Sequence, residues 1–421
     1  MIKYKPSVFG AGTTNVSCVL LIIGTISLHW SVPMFFIAGS FSRLGSLVFG
    51  FCSIALAALI RSSTSLFEYV GVFSVTGSYF LFLGLQSKIQ EHHIWYDQLQ
   101  IIFCLICLFL FWFGFVLGSS KVRTVNVGSE WILVIFGLLG ILALIGFLRF
   151  VKDISFYGTQ RDYGDTSLNP VGVAYSMICL ALAYLVLGVC APKLWRKMLF
   201  FAVVALAFIA AVSSASRGAL FAGLGAVIYF VLLNRRTVQW SVRSWLTTVG
   251  GILFMLPIIW IMYHKNYAIS ERSALLIKRV SSMFRAFSGN SNDPSMSIRE
   301  ITWDYYIKNI ETWIVFGEKG YSAYPHNQFF EILVRFGLFG IPLLLMSVFT
   351  IGRVLSYLLF SRQKYDLEFS FVSILFVFSY LQSMTSLSLQ INRVMWLGFG
   401  YFLGIIFNRN CVPRGKSSPF T

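Results

Sequence analysis

The sequence predicts an all-α, polytopic integral membrane protein, with about twelve transmembrane helices and one large hydrophilic loop carrying short amphipathic helices. Three observations predict it. Of 421 residues, 57% are hydrophobic and only 12% charged, about half the charge of a soluble domain, which excludes an ordinary globular enzyme. The 42 phenylalanines exclude a disordered chain, since such chains are polar and poor in aromatics. Apolar runs of about 20 residues, long enough to cross a bilayer, recur from end to end with short basic clusters between them.

The runs fall at 16–38, 44–60, 68–87, 98–118, 131–150, 171–191, 198–214, 218–234, 245–263, 327–352, 368–388 and 394–408. The first follows only Lys3 and Lys5 and lacks a small-residue cleavage site, so it reads as a transmembrane helix and not as a signal peptide. The remaining basic clusters are Lys121 and Arg123; Lys193, Arg196 and Lys197; Arg235, Arg236 and Arg243; Arg362 and Lys364; and Arg409, Arg414 and Lys416. In a strictly alternating chain of twelve spans all of these lie on one side, which the positive-inside rule makes cytoplasmic, with both termini. The net charge of +17 is thus mostly orientation charge, and no nucleic-acid partner is expected.

The opposite, external face collects the unusual polar residues. They are the TQRDYGDTSLNP segment before span six, the Ser216–Ala219 junction between spans seven and eight, a hydrophilic stretch at 264–326, and the QINR turn before span twelve. In the long stretch, SALLIKRVSSMFRAF and SIREITWDYYIKNI space apolar residues by three and four, as in helices lying on or near a membrane surface. SGNSNDPS between them is a turn-rich break. No internal repeat is present, so residues 1–421 read as a single membrane domain, unlike the repeat-built transporters.

Two residues carry the chemistry. Arg217 abuts an apolar run on each side at the external edge, where a cation costs several kcal/mol, roughly, unless it is paired or hydrated. Snorkelling anchors belong mainly to the cytoplasmic side, so an anion contact is the stronger reading. His326, in YPHNQFFEILVRFGLFG, follows a proline able to open a helix that runs into span ten. His29, His92, His93 and His264 have no supporting pattern. The seven cysteines nearly all lie in apolar segments and behave as small hydrophobes; Cys104 and Cys107 form a C-x-x-C without a second pair, and no metal site is expected. Glu331 and Arg335 form an i, i+4 pair that is most simply structural, with an orienting role toward His326 as the alternative. Trp303, Tyr305, Tyr306, Trp313, Tyr321 and Tyr324 could stack on sugars or serve as an interfacial belt.

Over about 150 residues, 198–345, the order of motifs resembles the O-antigen ligase and polymerase family, including exopolysaccharide polymerases. The matches are S-R-G-A at Ser216–Ala219; R-x-x-x-W followed by a glycine turn at Arg299, Trp303, Gly317 and Gly320; and H-N-x-x-x-E-x-x-x-x-x-G-x-x-G at His326, Asn327, Glu331, Gly337 and Gly340. A weaker fourth is Arg161 and Gly164 with Asn169 and Pro170. The resemblance implies an inverting, metal-independent glycosyltransferase without a cofactor, in the bacterial inner membrane with its active site periplasmic. Its donor would be a glycan on undecaprenyl diphosphate. The acceptor would be a lipid-linked glycan for a repeat-unit polymerase, the reading slightly preferred, or lipid A core for an O-antigen ligase of lipopolysaccharide biosynthesis. Membrane lipids and a chain-length regulator are the other expected partners.

The residue chemistry fits. Arginine offers a permanent, planar cation to diphosphate oxygens, and an acceptor hydroxyl needs a base that titrates near ambient pH, the natural task of histidine. His326 is the expected base and Arg217 the expected diphosphate clamp. A second, loop arginine is chosen among Arg272, Arg279, Arg285 and Arg299, with Arg299 preferred by its motif; Arg279 and Arg285 fit a headgroup-facing surface equally well. Asn327, Glu331 and Arg161 are supporting candidates. A lipid-linked oligosaccharide flippase is the alternative of another class, though it should carry charges through the middle of several spans.

Overall fold

A computed structural model describes residues 9–61, 69–89, 100–119, 170–191, 194–213, 216–234, 281, 294–319, 325–360, 367–385 and 392–411. All regular structure among the described residues is helical. The helices are α1 (Phe9–Arg61), α2 (Val70–Ile89), α3 (Gln100–Ser119), α4 (Pro170–Cys190), α5 (Leu194–Ser213), α6 (Arg217–Asn234), α7 (Pro294–Lys308), α8 (Ile310–Trp313), α9 (Gln328–Phe336), α10 (Ile341–Phe360), α11 (Leu367–Ser383) and α12 (Arg393–Cys411), with a 3-10 turn at Gly337–Gly340. The spans expected at 131–150 and 245–263 lie outside the described residues.

Three stretches, Val171–Cys190, Leu194–Val212 and Gln328–Leu358, are long and apolar enough to cross a membrane, which suggests membrane association; seven further described helical segments are apolar but shorter. Helices apolar on all sides have no face to offer water, so they bury one another or meet lipid. α11 is the extreme case, with every residue except Leu381 buried.

Backbone proximity sets the arrangement. At ~1.5 Å per residue, Ser17 and Ala57 would lie about 60 Å apart on a straight helix. Yet Ser17 Oγ donates to the Ala57 carbonyl at 2.8 Å, and Ser46 Oγ to the Ser27 carbonyl at 2.7 Å. α1 therefore folds back into two antiparallel limbs, 16–29 and 45–61, in keeping with two expected spans. They cross at Gly24 and Gly50, where a β-carbon on either residue would stand 2.7 or 2.8 Å from the other's carbonyl oxygen. α2 and α3 form a second antiparallel pair, with Gly77 against Trp112 and Gly84 against Cys104.

The closest helix contact pairs α3 with α12 in parallel. A β-carbon on Gly114 or Gly118 would collide with the carbonyls of Leu397 or Tyr401, and one on Gly400 or Gly404 with those of Phe111 or Phe115. Each helix thus presents a G-x-x-x-G stripe, the means by which helices without a hydrophobic driving force gain van der Waals contact.

The bundle has two ends. At the lower one, Arg61 meets Glu368 in a bidentate pair at 2.6 and 2.7 Å, both side chains buried, and Ser119 donates to the Tyr69 hydroxyl at 3.0 Å. At the upper one, Tyr175 donates to Asn392 Oδ1 at 2.9 Å, Asn392 donates to the Ser379 carbonyl at 2.6 Å, and Gln328 joins Ser347 and Ser383. The ring of His29 stands edge-on to Tyr175 in the same cluster. Of these buried polar groups, sequence reasoning singled out only Asn392, within the QINR turn, and set His29 aside.

Candidate functional site

The upper end is built by two crossing segments. α7 turns its Arg299, Trp303 and Tyr306 side toward α9, since i, i+4 and i+7 share one helical face. Tyr306 and Trp313 are buried with Val334, and Phe330 packs against them. The Trp313 indole donates to the Tyr306 carbonyl at 2.8 Å. These two aromatics are therefore core, which removes them from the candidates for sugar stacking; Trp303 and Tyr305 remain exposed at 38% and 51%, and Tyr321 and Tyr324 lie outside the described residues.

The two motif glycines explain one another. Gly317 has φ +86°, and a β-carbon there would stand 2.1 Å from the Arg335 carbonyl oxygen; Gly337 has φ +56°, with Val315 O at 2.4 Å. Glu318 N–H donates to the Val334 carbonyl at 2.8 Å, and Leu338 N–H to that of Ile314 at 2.9 Å. Gln86, from α2, donates to the Phe316 and Phe336 carbonyls and ties both segments to the bundle. Only glycine allows this backbone crossing at both positions. Gly337→Ala is expected to lose several kcal/mol, roughly, to strain and collision combined, read as a fall in melting temperature of the purified protein and loss of any His326-dependent activity.

His326 sits at the start of this crossing. α9 opens at Gln328, with Asn327 as its N-cap: Asn327 Oδ1 accepts from Phe329 N at 3.0 Å and Phe330 N at 3.2 Å. Pro325 thus precedes the helix by three residues instead of opening it, and Asn327 has a capping role. His326 is the sole non-glycine residue with positive φ among the described residues, at +55°, a conformation that costs energy and often marks functional sites.

Its imidazole is half-buried, and burial first, then the positive field of Arg299, push its pKa down to about 4. The ring is accordingly neutral at physiological pH, lower in basicity than the ambient-pH base expected from residue type alone. Close by on α7, the exposed Tyr305 hydroxyl is raised by the charge of Glu318 and a hydrogen bond to it.

Of the expected arginines, Arg299 is brought to His326 through α7. Arg217 is the first residue of α6, half-buried beside buried Ser216 and Ala219. α6 packs along α11 with Gly225 against Leu381, next to Ser383, the partner of Gln328. Arg217 lies eight residues before Gly225, ~12 Å away along the α6 axis. Glu331 and Arg335 meet at 3.4 Å as an i, i+4 pair, both side chains buried. Arg161, Arg279 and Arg285 lie outside the described residues, as does Gly320.

Compared with models of protein families, with curated proteins and with solved structures, the chain matches none.

Proposed function

We propose that the chain is a membrane glycosyltransferase that moves a glycan from undecaprenyl diphosphate to an acceptor sugar hydroxyl, as a repeat-unit polymerase of surface polysaccharide in the bacterial inner membrane, facing the periplasm. The observation that carries the reading is the pairing of a neutral, half-buried His326 with Arg299 at one end of a bundle whose helices include stretches long enough to cross a membrane. The motif order and the positive-inside charge pattern add support.

In this reading His326 takes the proton from the acceptor hydroxyl as its oxygen attacks the anomeric carbon. The carbon–oxygen bond to diphosphate breaks on the opposite face, its electron pair leaves on the diphosphate oxygen, and configuration inverts. Arg299 and Arg217 neutralise the leaving group by charge-assisted hydrogen bonds. Donor binding also tunes the base, because diphosphate beside Arg299 cancels the field that depresses His326, raising its basicity when a hydroxyl is to be deprotonated.

Deleting the gene tests the reaction through the surface-glycan profile. Loss of a polymerase leaves core with a single repeat unit. Loss of a ligase, the close alternative, leaves bare core with polymer accumulating on its lipid carrier, and an accumulation of single lipid-linked units on the cytoplasmic side would mark a flippase instead. Arg217→Lys discriminates a clamp from an anchor: a bidentate phosphate contact requires the guanidinium fork and predicts a loss of tenfold or more, roughly, in glycan transfer, whereas an interfacial anchor accepts lysine.

A further inference from the structure

We infer that Trp303 is a positioning residue for His326: its indole N–H, bonded to the Pro325 carbonyl, holds the imidazole in place beside Arg299. The inference rests on the reading of His326 as the base.

His326 occupies a positive-φ conformation that a non-glycine residue leaves unless both flanking peptides are held, at a cost of ~1–3 kcal/mol. On its C-terminal side the hold is the Asn327 cap, which ties the peptide into the first turn of α9. On its N-terminal side the hold is the bond from Trp303 Nε1 to the Pro325 carbonyl. The proline ring already fixes φ at about −65°, so the orientation of that carbonyl depends on ψ of Pro325 alone, and one hydrogen bond is enough to set it.

Trp303 is one helical turn from Arg299, so a single rigid element presents the cation and orients the peptide of the base. That element is anchored by Tyr306 and Trp313 in the cluster with Val334. Without the indole N–H the Pro325 carbonyl is free to rotate, residue 326 relaxes toward negative φ, and the ring moves away from the arginine. A ring at this position that only filled space would not need its nitrogen.

The test deletes the N–H, in its first variant with the bicyclic shape kept. In full-length protein in lipid nanodiscs, Trp303 is replaced by benzothienylalanine, which keeps the bicyclic shape and has sulfur in place of N–H; Trp303→Phe is the second variant. The His326 imidazole is followed by NMR of histidine-labelled protein, with His326→Gln assigning its signal. In the native chain the signal is expected to titrate with a midpoint of about 4. In both variants the midpoint is expected to climb by about one unit or more toward 6.5, with turnover falling about tenfold or more and KM for the donor changing less than about twofold.

An unmoved midpoint in the folded isostere overturns the inference, as does lower thermal stability with the titration unchanged, which would mark Trp303 as packing alone. The titration needs no substrate. A native protein that transfers no glycan would therefore sink the proposed reaction while the imidazole still reported on Trp303.

Discussion

Replacing His326 with alanine is expected to abolish glycan transfer, with a loss of ~100-fold to 10,000-fold, the range that a general base contributes. The protein should still insert, because His326 lies outside the apolar stretch Gln328–Leu358. The measurement is glycan laddering in a deletion strain complemented with the variant, alongside its membrane abundance. Wild-type laddering at normal abundance would end the catalytic reading.

The pH dependence is a sharper companion to that experiment. With a pKa of about 4, His326 is unprotonated in the free enzyme down to that pH, so the acid limb of kcat/KM is expected near 4 and not at the ordinary histidine value of 6.5. Arg299→Gln removes a field that lowers the pKa, and the limb should move up. Stability follows the same sign: between about 6.5 and 4 the unfolded chain binds a proton at this position that the native state refuses. The fold therefore gains stability as pH rises through that window and loses it on acidification.

The second large effect is expected far from this site. Glu368→Ala leaves Arg61 buried without its bidentate partner, and breaking a buried pair in this way costs about 3–5 kcal/mol. The variant should melt at a markedly lower temperature in detergent and appear at reduced abundance in the membrane. Changing both partners, Arg61→Met with Glu368→Leu, removes both charges from the core and should recover most of that loss. If the double variant is as unstable as Glu368→Ala, the pair contributes through its hydrogen bonds to the surrounding helices and not through charge compensation.

The helical class and the approximate bounds of several apolar helices were legible because bilayer-length runs and basic turns are local signals, whereas the continuous helix α1 across the runs at 16–38 and 44–60 and the break at Gly337–Gly340 within the run at 327–352 were not. Arg61 and Glu368 were not, since each sits at the edge of an apolar run and reads alone as a loop charge; only the fold brings together residues 307 positions apart. Gln86 was hidden for the same reason. The stripes Gly114/Gly118 and Gly400/Gly404 stand in the sequence as G-x-x-x-G on two apolar helices, but which helices they join is set by the fold. At the site, the amphipathic spacing around Arg299 and Trp303 marked a helix, which is α7, and Asn327 and Glu331 belong to the cap and first turn of the helix that follows the histidine. The positive φ of His326, and the burial and Arg299 field that lower the basicity of its ring, arise from tertiary packing that periodicity cannot reveal.

The parallel contact of α3 with α12 also implies an order of assembly. During synthesis α3 emerges well before α12, so the glycine groove on α3 and the guanidinium of Arg61 both await partners from the later helices α12 and α11. A ribosome that stops before residue 367 would release a protein with most of its apolar helices made but its earliest helices unclosed, exposing bare backbone along α3 and an uncompensated cation on α1. The polar and glycine faces of α1 and α3 are therefore covered only once α11 and α12 are in place.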